Sequence, residues 1–282
     1  MARVGAVVRT LRLAAAAVAL ALAAPACAAT HRPASTVAEP AGKAPLRYRD
    51  PVFTRVSVQR DIGYSGDEGL DLYTPTGDRG RDRPAVVWIH GGGFRTGTKA
   101  NANVVQLATA FAQRGYVAAS IDYRLLAQGV VCGRTPTPPP QCTQAALAAK
   151  EDARAAIGWL RLHARGLDLD SQRIAVGGTS AGAVTSLLLA ADPSSRIGAA
   201  VSISGSLPGA SFSRNDAPTL FFQGTRDRVV PYARAKATAD AMARAGVPVV
   251  FEALRGAGHV PWQYRSRFIT QSAWFLYARL GL

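Results

Sequence analysis

The sequence predicts an α/β domain: a mostly parallel sheet covered by helices on both faces, with an antiparallel hairpin at its N-terminal edge. Three observations carry this. Ala85–Ile89, Val117–Ile121 and Arg173–Val176 contain almost unbroken apolar runs, as strands buried on both faces do. Segments between such runs repeat their apolar residues at helical spacing. The two kinds of segment alternate along the chain, the pattern of strands joined by crossover helices.

Composition bounds the answer. The 282 residues are 48% hydrophobic and 18% charged, an ordinary globular balance for one large domain or two small ones. No second composition shift, repeat or linker is seen, so one domain is expected. The formal net charge of +15 raises nucleic acid or an anionic surface as a partner. The arginines are scattered, however, and no zinc-finger or RNA-binding signature is present, so nucleic acid is set aside. The cysteines and histidines lack metal-ligand spacing, and neither metal nor cofactor is expected.

Residues 1–26 have the features of an export signal. Arg3, Arg9 and Arg12 form a basic n-region, and Leu13–Ala24 is apolar but short for a membrane span. Ala24-Pro25-Ala26 is an A-x-A-like cleavage site, and Cys27 follows it directly. A cysteine there resembles the acylated first residue of a bacterial lipoprotein, although Ala24 stands where leucine is usual. Free secretion and a lipid anchor at Cys27 both stay open. Residues 27–46, rich in Ala, Pro and Thr, read as a tether. The expected catalytic domain is 47–282.

Val52–Gln59 and Leu70–Tyr73 alternate like a hairpin around a Gly/Ser/Asp turn. Ala85–Ile89 runs into His90-Gly91-Gly92-Gly93-Phe94. Val104–Arg114 reads as a helix stopped by Gly115. Val117–Ile121 leads into Asp122-Tyr123-Arg124-Leu125. Ala127–Thr143, with four prolines and two cysteines, reads as an insertion loop. In an oxidising compartment Cys132 and Cys142 are expected to pair, contributing about 2–3 kcal/mol by chain entropy. Ala149–Ala164 is helical in spacing, with Gly166 as its C-cap and His163 on its surface. Later strands are expected at Ala199–Ser204, Thr219–Phe222 and Val249–Leu254, and later helices at Tyr232–Ala245 and Arg265–Leu280.

Between Arg173–Val176 and the apolar segment Val184–Leu189 lies Gly177-Gly178-Thr179-Ser180-Ala181-Gly182. A G-x-S-x-G between a strand and a helix is the pattern of a nucleophile elbow, with the serine at a sharp turn and the following helix N-terminus favouring negative charge. In a parallel sheet, functional loops gather at the carboxyl ends of strands. Ser180, Asp227 and His259 all follow predicted strands, in the order Ser, Asp, His. A serine hydroxyl attacks only if a base takes its proton, which a neutral histidine held by a carboxylate can do.

With His90–Gly93, Asp122–Leu125, Gly178–Gly182, Gly224-Thr225-Arg226-Asp227 and Gly258-His259, the chain resembles the α/β-hydrolases of the carboxylesterase and hormone-sensitive-lipase-like group from Arg47 to Leu282. It is similar in style to small esterases that remove acetyl or feruloyl groups from polysaccharides. The resemblance implies Ser180 as nucleophile, His259 as base and Asp227 as its orienting acid. It also implies an oxyanion hole from the backbone N–H groups of Gly91, Gly92 and Ala181. His90 and Gly93 then support the glycine loop.

Two departures stand out: Thr179 replaces the usual acidic residue, and no helical cap precedes the sheet. A small-molecule or polysaccharide ester is therefore the expected substrate. An amide-directed hydrolase, as peptidase or formamidase, uses the same site, and an inactive binding module on this fold is the third reading. Oligomeric state is not legible.

Overall fold

The computed structural model describes residues 45–132 and 138–282. The expected export signal, Cys27 and nearly all of the tether lie outside these residues. Eight strands form one sheet in the order β1-β2-β4-β3-β5-β6-β7-β8. They are β1 Val56–Ser65, β2 Glu68–Pro75, β3 Arg83–Ile89, β4 Val117–Ile121, β5 Leu169–Thr179, β6 Ala199–Ile203, β7 Thr219–Gly224 and β8 Val249–Leu254. The β1-β2 and β2-β4 pairs are antiparallel, and all the others are parallel.

The helices are α1 Ala102–Ala112, α2 Pro140–Leu162, α3 Ala181–Ala190, α4 Tyr232–Arg244 and α5 Arg265–Arg279. Side chains alternate across the pleat, so the sheet feeds two cores. Ala85, Val87 and Ile89 of β3 pack with the alanine stripe of α2 and with Leu189 of α3. Val86 and Trp88, one residue out of phase, pack with Leu107 and Phe111 of α1 and Phe268 and Leu276 of α5. Met242 of α4 joins Leu187 and Phe221 in a third cluster.

Several element ends differ from expectation, among them β5, which begins at Leu169 rather than Arg173, and the three that follow. The end of the predicted insertion loop is helix, since α2 begins at Pro140, with Cys142 and Thr143 in its first turn. Proline suits that first position, because its fixed φ is helical and its missing N–H would have had no helical acceptor. Helix α2 ends at Leu162 with His163 as C-cap, so Gly166 lies in the following turn. Strand β1 starts at Val56 and continues to Ser65, because its pairing with β2 overrides its weak apolar pattern. Cys132 and Cys142 are joined, with their Cα atoms 5.6 Å apart. Among the described residues, no helix is long and apolar enough to cross a membrane.

Candidate active site

Ser180 sits where β5 turns into α3, with φ 53° and ψ −115°. This is far from the right-handed and extended basins that L-residues prefer. The surroundings enforce it. The Ser180 N–H donates to the Ile203 carbonyl at 2.9 Å, and the Val184 N–H returns to the Ser180 carbonyl at 3.0 Å. The flanking glycines are a matter of space. A Cβ on Gly182 would lie 2.1 Å from the Ile89 oxygen, and one on Gly178 would lie 2.4 Å from the Gly182 backbone. Strand, turn and helix therefore approach as closely as a bare backbone allows.

Asp227 and His259 arrive from the ends of β7 and β8. His259 Nε2 lies 2.8 Å from Ser180 Oγ. His259 Nδ1 lies 2.8 Å from Asp227 Oδ2. The Asp227 side chain is fully buried, while that of His259 is 22% exposed. The sequence-predicted Ser, Asp and His are thus brought together in one hydrogen-bonded line.

A buried carboxylate needs donors, and Asp227 has four. Oδ1 accepts the N–H groups of Val229 at 2.8 Å and Val230 at 2.9 Å. Oδ2 accepts His259 and, at 2.9 Å, Gln223 Nε2. Burial alone would raise the Asp227 carboxyl; its bonds with His259 and the valine amides outweigh that and hold it below the ordinary range.

Gln223 and Ser204 were not legible as site residues. Gln223, buried on β7, also donates to the Val230 carbonyl at 2.8 Å. Two acceptors fix the orientation of its amide, and its Oε1 is left without a partner. Ser204 Oγ accepts the Val260 N–H at 3.0 Å. Val260 has φ 41°, unusual for a β-branched residue, so that bond pins the backbone beside His259. The only sequence signal was a polar residue at the end of an apolar strand.

The glycine loop lies against the elbow: a Cβ on Gly91 would lie 3.2 Å from the Ser180 Cβ. Gly92 has φ 121°, and a Cβ there would lie 1.8 Å from the Thr96 oxygen. Its carbonyl instead closes the turn by accepting the Arg95 and Thr96 amides. The amides of Gly91, Gly92 and Gly93 donate to no backbone carbonyl among the described residues. Ala181 N–H heads α3, where a helix has no internal acceptor to offer.

His90 is 1% exposed. Its Nδ1 lies 2.6 Å from the Gly91 carbonyl, and its ring stacks on Tyr123 at 4.3 Å. Since Nδ1 faces a carbonyl, it carries the proton; Nε2 has no partner. Tyr123 also donates to the His90 carbonyl at 2.9 Å. The flanking Asp122 accepts Lys99 N and Nζ, and Arg124 donates to Asp152. The Asp-Tyr-Arg-Leu segment therefore buttresses the glycine loop from behind. No group of three or more His, Cys, Asp or Glu suited to a metal ion occurs among the described residues.

A serine at a helix N-terminus, hydrogen-bonded to a histidine that a buried carboxylate orients, is the constellation of the serine hydrolases. The sheet and its crossover helices are the α/β-hydrolase fold. Comparisons with known proteins agree. The family described as BD-FAE matches residues 70–202, and the Phospholipase/Carboxylesterase family matches residues 154–275.

A phenmedipham hydrolase of Pseudarthrobacter oxydans is 35% identical over 129 residues, which is 45% of this chain. The match spans 24% of that relative's length. Among solved structures, the α/β hydrolase MGS-M1 from a Medee basin deep-sea metagenome library superposes with a TM-score of 0.65 at 19% identity, covering 82% of this chain and all of that one. Thermogutta terrifontis esterase 2 with propionate bound gives 0.61 at 23% identity, covering 84% of this chain and 98% of that one. The same esterase phosphorylated by paraoxon gives 0.60 at 24%, covering 83% and 97%.

Proposed function

We propose that the protein is a carboxylic ester hydrolase that cleaves short-chain or small acyl esters through an acyl-Ser180 intermediate. The observation that carries this reading is the continuous line from Ser180 Oγ through His259 to Asp227, 2.8 Å at each step. His259 Nε2 takes the Ser180 proton as Oγ adds to the ester carbonyl carbon. Asp227 holds Nδ1–H and stabilises the imidazolium. The amides of Gly91, Gly92 and Ala181 receive the oxyanion, and one such donor is worth roughly 10²–10³ in kcat. The tetrahedral adduct collapses, and the departing alcohol oxygen takes the proton from His259. Water then adds to the acyl carbon as His259 takes its proton, and the second adduct collapses, breaking the Ser180 Oγ–carbon bond, releasing the carboxylic acid and returning the His259 proton to Oγ.

Small acyl groups are supported by likeness to an esterase that binds propionate and butyrate. Polysaccharide-linked esters remain the substrate class to test beside simple ones. We also propose that the enzyme acts outside the cytosol, either released or anchored through a lipid on Cys27. The mass of the mature N-terminal peptide distinguishes the two.

The test is a panel of p-nitrophenyl esters, aminoacyl anilides, and acetylated and feruloylated polysaccharides, run with wild type and Ser180→Ala. Ester turnover in wild type and none in the variant is the expected result. Anilide turnover exceeding ester turnover would replace the proposal with the amide reading. Undiminished ester turnover in Ser180→Ala would remove the triad assignment.

A further inference from the structure

An apolar cavity of about 320 Å³ opens beside Ser180, walled by Phe94, Leu147, Val184, Leu188, Leu207 and Val229. Besides Ser180, its main polar members are Thr143, Ser206 and Arg234. His259 is not part of the wall, although its Nε2 touches Ser180 Oγ. That asymmetry has a stereochemical consequence, and it rests on the ester-hydrolase reading above. His259 must deliver a proton to the leaving oxygen, so the alcohol lies on the His259 side of Ser180. The acyl group then faces away from His259, toward Ala181, Gly93 and Phe94, where the cavity is.

Both cysteines also line the cavity. Cys142 is buried in the first turn of α2, and the wall continues along that helix through Ala146 and Leu147. The bond to Cys132 ties this turn to the chain that follows Tyr123 and Ala127. Ala127 N–H in turn donates to the Phe94 carbonyl at 3.0 Å. The α2 side of the wall is thus closed covalently rather than by packing alone.

We propose that this cavity is the acyl pocket, that it takes an apolar acyl group of hexanoyl-to-octanoyl size, and that the Cys132–Cys142 bond is its specificity-determining wall. Size decides against acetyl as the best-fitting group. An apolar cavity of about 150 Å³ holds a benzene, and the liquid share of one water is about 30 Å³. An acetyl methyl therefore leaves most of the 320 Å³ unfilled. Each methylene that fills it is worth up to about fourfold in kcat/KM.

The experiment is a p-nitrophenyl ester series from acetyl to decanoyl. It compares wild type, Leu188→Phe, and the double variant Cys132→Ser with Cys142→Ser. In wild type, kcat/KM is expected to rise roughly two- to fourfold per methylene to hexanoyl or octanoyl. Leu188→Phe narrows the cavity and is expected to lower the octanoyl-to-acetyl ratio about tenfold or more. The cysteine variant is expected to lower it by a similar factor as the wall loosens. If that variant does not accumulate, wild type reduced with dithiothreitol, its thiol state read by mass, takes its place.

A wild-type optimum at acetyl, or a ratio unmoved by Leu188→Phe, overturns the pocket. A ratio unmoved by loss of the disulfide overturns the cysteine wall. Failure of wild type to turn over an ester of any length would instead strike the ester-hydrolase reading itself.

Discussion

Replacing Ser180 by glycine is expected to leave the protein more stable than replacing it by alanine. In most helices and strands the order is the reverse, because glycine loses about 0.5–1 kcal/mol relative to alanine on ordering. At Ser180 the backbone is held at φ 53° and ψ −115°. A Cβ in the left-handed half of the map costs about 1–2 kcal/mol, and sparsely populated conformations cost about 1–3 kcal/mol. After the entropy offset, glycine gains about 1 kcal/mol over alanine, or about 2–4 °C in Tm for a domain of this size. Both variants lack the hydroxyl, so the lost bond to His259 cancels between them. Scanning calorimetry of the two variants at one pH reads the difference directly. An alanine variant that melts at the same temperature or higher would refute the idea that the fold holds its nucleophile in a strained turn.

Gln223→Leu removes one of four donors to a buried carboxylate. A hydrogen bond to a charged group is worth about 1.5–3 kcal/mol, so kcat is expected to fall about 10–100-fold with KM nearly unchanged; an unaltered kcat would mean Gln223 does not position Asp227. Gly92→Ala drives a Cβ to within 1.8 Å of the Thr96 oxygen and must displace the loop. Its kcat/KM on p-nitrophenyl butyrate is expected to fall at least the roughly 10²–10³-fold of one lost oxyanion donor, and near-wild-type kinetics would remove Gly92 from the hole. Acidification is expected to destabilise the protein in two stages. Burial holds His90 below the ordinary histidine value against the pull of its bond to Gly91. The folded state therefore takes up fewer protons than the unfolded one as pH falls through about 6.5, and stability drops there. Asp227, held below its ordinary value, adds a further loss under about pH 4. The urea midpoint should fall between pH 7 and pH 5 in wild type and fall less in His90→Gln. Equal slopes would contradict the His90 part.

The sheet was legible because its strands are apolar runs cut off by glycines and prolines. Val249–Leu254, set between Pro248 and the Arg255–Gly258 turn, coincides with β8 end for end. Ser180, Asp227 and His259 were legible because each follows such a run, and a parallel sheet brings strand ends to one edge. The start of α2 was not, because Pro140 suits a loop and a first helical turn equally. Gln223 and Ser204 escaped for another reason. The partner of Ser204, the Val260 amide, is brought in by the sheet from 56 residues away, while Gln223 meets Asp227 and Val230 only because the loop after β7 folds back on the strand end, which no apolar pattern encodes. His90 was read as support for the glycine loop, but its stacking on Tyr123 needed the pairing of β3 with β4 to become visible.

The covalent intermediate tests the central claim most directly. Wild type is mixed with p-nitrophenyl butyrate, quenched in acid within milliseconds and digested for mass spectrometry. A butyryl group on the peptide containing Ser180, absent from untreated enzyme and from Ser180→Ala, is the predicted result. Rapid turnover with no acyl group on Ser180 at any quench time, or an acyl group on another residue whose loss abolishes activity, would contradict it.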